Sequence, residues 1–465
     1  MVFFITFRHQ LLFMINFIEN INKRIQIGSS FLLLLTLFNG AIVMNFHKLI
    51  YKNPLVMILL LFFLIITIID YKKWWAVFCN ILISIALLIL VFPRIGNHST
   101  LLLFFSLLIF CFIIVKLFKK NHLFNHDLIS YCFRIATVTI YFYTGFHKLN
   151  TDFFNPCVSC VNGINEFTIS NLFNTDFIVK PSLSRFLQIS TIIVECIIPF
   201  GILHSKTRKY TILTLLLFHS YLSLSVFADF SAMALFLLMG CTIDFKENNI
   251  QQKVVNSLQL YLIFIVIAVV GYHLLHYSKI EDIRHRFIQG LLFNIGFFGF
   301  IYTYFKNTPE KTFSFKKEYF VPLISISILI SLWTLKSYIG LGNAGNLTMF
   351  SNLVTEKSRN NHLLIDTKKT KLFDFEEDNV HIVFINNPFI KENFNGFKIP
   401  VAEFRFLVNY WSRKFNKPIP CTLIYKGKKQ HFEDIRKSPF TESKWWYKYL
   451  SFRKIQTSSP NRCRW

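Results

Sequence analysis

Acidic side chains are scarce in this chain. Only 25 Asp and Glu stand among 465 residues, against 50 Lys and Arg. Charged residues make up 16%, where a soluble domain carries about 25%. Glycine (16) and proline (13) are sparse too, which excludes collagen-like and low-complexity disordered chains. No internal repeat and no Gly/Ser linker interrupts the sequence. It has no GxxxxGK[ST], GxSxG or HExxH, so nucleotide hydrolysis and the common hydrolases lose support.

Apolar side chains fill the gap. Hydrophobic residues reach 53%, Phe alone occurs 56 times, and mean hydropathy is +0.44. One soluble core cannot bury that much phenylalanine. The reading is an all-α polytopic membrane helical bundle. The formal charge of +25 then belongs to loops that hold topology against anionic lipid. No RNP-like motif or zinc-finger spacing accompanies it, so nucleic acid is not an expected partner. The bilayer is.

Spanning takes about 20 apolar residues. About eleven segments come near that length: 27–46, 54–69, 74–91, 99–118, 128–145, 183–203, 210–227, 230–243, 258–276, 287–305 and 320–335. The second and eighth are short. Residues 1–26 are apolar but broken by Arg8-His9-Gln10. They read as an interfacial helix rather than a cleavable signal peptide. Cations concentrate in the loops holding Lys23–Arg24, Lys72–Lys73 and Lys116–Lys120, and thin out in the alternate set. The expected orientation has the N-terminus cytoplasmic and the C-terminal part outside, as in a bacterial inner membrane.

Two stretches do not read as membrane: an outer loop, 146–182, and a polar tail, 336–465. In the tail, 379–386 and 421–425 read as strands. Residues 400–415 place Val401, Phe404, Leu407, Val408 and Trp411 at helical spacing behind a proline. A small extracytoplasmic α/β C-terminal domain accounts for them.

Polar groups beside membrane segments are costly and so are functional candidates. His98 and Lys148 both fall at outer span ends, while Glu195 and His219 are mid-span. Burial beneath a loop is how a lysine becomes a usable base; the plainer reading is a snorkelling cation. For Glu195 and His219 the plainer reading is interhelical hydrogen bonding. Of nine cysteines, Cys157 and Cys160 alone form a close pair. Facing an oxidising compartment they are a candidate disulfide; no second pair completes a zinc site, and no metal is expected.

The run Tyr141-Phe-Tyr-Thr-Gly-Phe-His-Lys148-Leu-Asn-Thr-Asp-Phe153 resembles the signature of the HTTM family, the membrane domain shared with vitamin K-dependent γ-glutamyl carboxylases. Asn97-His98-Ser99 is similar to that family's upstream Asn-His-Ser, and Phe218-His219, followed by Phe227 and Met233, to its later Phe-His segment. Phe350-Ser-Asn-Leu353, with Thr355-Glu356 and Asn361-His362-Leu-Leu364, resembles the stretch after the last span in bacterial members. The likeness covers roughly residues 27–244 and 343–365. It implies that Lys148 is the base deprotonating a reduced lipid quinone of the vitamin K or menaquinol type. His98 would assist at the same site. His219 completes the candidate catalytic set, and Asn97 and Glu195 are the candidates for its support. The implied activity is that of a carboxylase-like lyase modifying a secreted peptide. The chain departs from the family in its shorter tail and in having His147 before Lys148 where a second lysine is usual. Some family members serve peptide maturation, so the alternative is a non-enzymatic membrane factor for maturation or export of a secreted peptide. A transporter is a third reading, without the repeats it would want.

Overall fold

The computed structural model describes residues 28–92, 94–118, 126–225, 228–245, 249–278, 282–308, 315–442, 444–457 and 459–463. The expected interfacial helix at 1–26 lies outside them. The helices run α1 (Ser29–Phe46), α2 (Pro54–Ile69), α3 (Trp74–Val91), α4 (Asn97–Phe118), α5 (His126–Phe146), α6 (Cys160–Phe173) and α7 (Pro181–Ile192). After a change of winding come α8 (Ser205–Ser225), α9 (Ala228–Gly240), α10 (Gln252–Tyr277), α11 (Asp282–Asn307) and α12 (Phe320–Ile339).

Among the described residues, seven stretches are long and apolar enough to cross a membrane: Ser29–Tyr51, Trp74–Val91, Asn97–Ile114, Pro181–Ile202, Gln252–Tyr277, Arg284–Asn307 and Lys317–Ile339. That is fewer than the eleven expected. Helices α2 and α9 have 16 and 13 residues, about 24 and 20 Å at 1.5 Å per residue, short of a roughly 30 Å hydrocarbon core. Helices α5 and α8 are long, but Asp127 and Arg134 in one and Lys206, Arg208 and Lys209 in the other dilute their hydropathy. The segment 146–182 expected as a loop is also not all loop, since α6 occupies its middle.

Helix α1 is apolar on every side, as a helix enclosed by others must be. Leu34, Leu35, Phe38 and Ile42 are all sealed from solvent. Phenylalanine supplies the packing: the ring of Phe38 lies 4.4 Å from Phe236 of α9, and Phe133 stands 5.3 Å from both Phe105 and Phe236. Amides stitch the first three helices. Asn80 donates to Asn39 Oδ1 at 2.6 Å and to Leu60 O at 3.0 Å, and Asn39 donates to Thr67 at 3.0 Å. Such bonds are how short apolar helices hold register without a hydrophobic drive.

The tail folds as a four-stranded antiparallel sheet with order β2-β1-β3-β4. The strands are β1 (Asn379–Ile385), β2 (Lys398–Pro400), β3 (Cys421–Tyr425) and β4 (Lys428–Phe432). Three helices accompany them: α13 (Thr367–Thr370), α14 (Pro388–Phe394) and α15 (Val401–Lys414). The helical spacing read from sequence holds, with Val401, Phe404, Val408 and Trp411 buried in one cluster with Val380, Ile382 and Leu423. Lys426 and Gly427 both take positive φ, 49° and 74°, as a two-residue hairpin demands. Arg94, just before α4, fastens this domain to the bundle. Its guanidinium pairs with Glu403 at 2.6 Å, donates to Leu450 O at 3.0 Å and lies 3.4 Å over the Phe406 ring.

Candidate functional site

Lys148 sits in the turn that ends α5, its amide donating to Gly145 O at 2.9 Å. The residue is only 4% exposed. Its ammonium stands 2.6 Å from a carboxylate oxygen of Glu195 and donates to Thr144 O at 3.2 Å. Glu195 reaches that place because α7 does not continue as a plain helix. Residues Ile193–Ile197 form a π turn and Ile198–Ile202 a 3₁₀ turn. A π turn inserts a residue and swings side chains out of the regular pattern, which is why such turns gather at functional sites. Gly145 allows the approach: a Cβ there would stand 2.5 Å from Cys196 Sγ and 3.0 Å from Glu195 Cβ.

Two cavities meet at this pair. One, of about 50 Å³, is bounded by Tyr141, Thr144, His219, Phe230 and Met349. The other, of about 190 Å³, lies among α6, α7 and α8, beside Asn165, Thr191 and Tyr221. Lys148, Ile164, Glu195, Phe218, Leu222 and Phe350 line both. Apart from the ion pair the shared wall is apolar. The larger volume exceeds the roughly 150 Å³ that admits benzene, so a ring-sized group fits beside Lys148.

At the inner end, His219 Nε2 lies 2.5 Å from the Tyr141 hydroxyl, both side chains buried. Tyr141, Thr144 and Lys148 recur at helical spacing on one side of the α5 segment. That spacing was the available signal for Tyr141, which the sequence reading did not single out as a site residue.

His147, next to Lys148, points away from the cavities. Its Nε2 donates to Asn346 O at 3.1 Å, leaving Nδ1 to accept from the Tyr338 hydroxyl at 2.7 Å. Burial first, then electrostatic repulsion from His362 and Lys148, holds its pKa down at about 3. This histidine is a neutral strut. Across the turn, residues 343–365 form a clasp. Asn150 donates to His147 O at 2.9 Å and to Ser351 O at 2.5 Å. Asn352 Oδ1 accepts from Cys160 N at 2.9 Å, and Asn361 donates to Asn352 O at 2.9 Å. Leu347, Phe350 and Asn352 take positive φ of 60°, 55° and 55°, an uncommon conformation outside glycine. It brings Met349 and Phe350 over the cavities.

The expected residues divide. Lys148, Glu195 and His219 come together. His98 does not join them: it faces Asp229 at 3.6 Å and lines neither cavity. The reason is helical geometry. Asn97 accepts from Leu347 N at 2.6 Å and so faces the clasp, while the next residue turns about 100° away, toward the acidic first turn of α9. Asn97 thus positions the clasp without touching the cavities. The cysteine pairing also differs from expectation. Cys160 is bridged to Cys463, Cα atoms 4.8 Å apart, and Cys157 is free and exposed. Cys160 begins α6, and its buried side is turned to the tail that crosses it. Among the described residues, no group of three or more His, Cys, Asp or Glu could hold a metal ion. Compared with family models, curated proteins and solved structures, the chain matches none.

Proposed function

We propose that this protein is a carboxylase-like membrane enzyme in which Lys148 acts as a general base on a lipid-borne quinol, in the modification of a secreted peptide. One observation carries the reading: a lysine–glutamate pair, desolvated and 2.6 Å apart, stands where two apolar cavities join. The likeness of residues 141–153 and 343–365 to the HTTM family supports it.

The residues fit such a group. The apolar wall of Ile164, Leu187, Val194, Phe218 and Leu222 would hold a ring, and α7 lies at the rim, with Leu183, Phe186 and Ile189 exposed on the side open to a lipid tail. When bound, a reduced quinone supplies an ionisable hydroxyl and reducing equivalents. Lys148 and Glu195 handle the proton. Transfer from the Lys148 ammonium to the Glu195 carboxylate turns an ion pair into a neutral amine and a neutral acid. Charge is conserved and a lone pair on Nζ is freed. The amine can then accept a proton from a donor in the cavity. Exclusion of water by Met349 and Phe350 strengthens every such interaction. His98 has no part in this scheme, since it pairs elsewhere.

A second reading keeps a specific observation: Lys148 is already satisfied by Glu195 and Thr144, as a purely structural cation would be. On that reading the protein is a non-enzymatic factor for maturation or export of a secreted peptide. Lys148→Arg separates the two. Guanidinium does not deprotonate in proteins, so a base is lost while a structural cation is kept. We expect peptide modification, read by mass spectrometry of secreted peptides, to fall about 10²–10⁴-fold at normal protein abundance. Full modification in Lys148→Arg would sink the enzymatic reading. Identification of co-purified lipids by mass spectrometry tests the quinone directly.

A further inference from the structure

Beyond the cavities, the base of the C-terminal domain carries a surface that the proposed chemistry does not use. Residues 362–373 run as a strap across the ends of two helices. At one end His362 Nε2 donates to Phe146 O at 3.0 Å and Leu363 N donates to Leu149 O at 2.9 Å. At the other, Leu372 N and Phe373 N both donate to Ile339 O, at 3.2 and 3.1 Å. The strap is therefore level with the last turns of α5 and α12.

Its large apolar side chains point outward. Leu363 is 54% exposed, Leu364 69%, Leu372 75% and Phe373 40%. They continue a surface that begins lower down, because Val321, Ile324, Ile328 and Leu332 form an exposed apolar row along α12 at i, i+3, i+7 and i+11, one face of a helix. Above the strap the composition changes. Phe373 stacks on Phe375, which packs against Trp446, and the neighbouring Trp445 and Tyr449 are exposed. Lys368, Lys369, Lys444 and Lys448 are exposed along the same belt. The one acidic group inside the strap, Asp366, is engaged in capping α13 through Lys368 N at 3.0 Å.

Apolar side chains below, with Trp, Tyr and Lys gathered along the boundary, is how a lipid interface is layered. We propose that the strap 362–373 is an interfacial anchor, its leucines and Phe373 entering the acyl boundary and Lys368 and Lys369 meeting anionic phospholipid headgroups. A protein partner would also want an apolar patch, but nothing would require that patch to continue the exposed row of a spanning helix. The inference is independent of the reaction assigned to Lys148. It has a mechanical corollary, because His362 holds Phe146, two residues from Lys148.

The test uses the full-length protein in its own membranes. A photoreactive phenylalanine analogue replaces Leu364, Leu372 or, as a control, Phe384. The last is exposed near the far end of β1, about 17 Å along the strand from its start at 3.3–3.4 Å per residue. After illumination, adducts are identified by mass. We expect phospholipid adducts at 364 and 372 and none at 384. Adducts chiefly with protein would make the strap a partner-docking face and overturn the proposal. So would an absence of adducts at normal abundance, or equal lipid labelling at 384. Combining Lys368→Gln with Lys369→Gln should lower the ratio of anionic to zwitterionic lipid adducts about tenfold. An unchanged ratio would overturn the headgroup assignment.

Discussion

A buried ion pair is more costly to break than to replace. Removing one partner of the Lys148–Glu195 pair leaves a charge in a dry site, at a cost of about 3–5 kcal/mol, whereas apolar replacement of both can be close to neutral. We expect Glu195→Leu alone to lower membrane abundance and thermal stability sharply. Lys148→Met with Glu195→Leu should restore both without restoring modification. Equal stability of the single and double variants would show that the pair is not coupled. His147 gives a second residue-scale expectation. Its folded pKa of about 3 lies below the roughly 6.5 of an unfolded histidine, so the unfolded chain takes up the proton first. The stabilising difference is complete above pH 6.5 and shrinks as pH falls from there toward 3. At pH 5 the loss is about 2 kcal/mol. His147→Gln, which keeps a donor and an acceptor, should flatten the dependence of unfolding on pH between 7 and 5. An unchanged slope would count against the buried neutral strut.

At the scale of elements, the π turn is the feature on which the site depends. Deleting one residue from Ile193–Ile197 would restore regular winding and rotate the following chain by about 100°, taking Glu195 off Lys148. Gly145→Ala should have a milder form of the same effect, because its Cβ would meet Cys196 Sγ at 2.5 Å. Both should reduce modification while leaving the protein inserted, and unimpaired modification in the deletion would refute the role given to the turn. Neither feature was legible beforehand. A run such as Thr191 to Pro199 is uniformly apolar around one glutamate, and hydropathy does not distinguish α from π winding. What could be read was the spacing from Val401 to Trp411, the short strand-like runs at β1 and β3, and the apolar runs themselves. The polar residues of the site were legible as costly exceptions, which picked out Lys148, Glu195 and His219. His98 was misplaced because nearness in topology does not fix the direction of a side chain. The asparagine clasp was out of reach, since it rests on contacts between residues some two hundred positions apart.

For the whole molecule, the bridge between Cys160 and Cys463 joins α6 to the far end of the tail, 303 residues away. Disulfides persist in oxidising compartments, and the loop charges favour a cytoplasmic N-terminus. We therefore expect a reporter active only in the cytoplasm to be silent when fused after Trp465. We also expect thiol reagents to label Cys157 without reductant, and Cys160 and Cys463 only after reduction. Strong reporter activity, or labelling of Cys160 in the oxidised protein, would reverse this orientation. The clasp over Lys148 adds something of a different kind. Its asparagines use the amide as donor and acceptor together: Asn150 gives hydrogen bonds to two carbonyls and receives two, from Phe153 N at 2.8 Å and the Asn361 amide at 3.3 Å. Slow hydrolysis of such an amide to a carboxylate would set acceptor against acceptor and add a negative charge in a closed space. A single oxygen in place of one amide nitrogen would therefore be enough to lift the lid from the cavities.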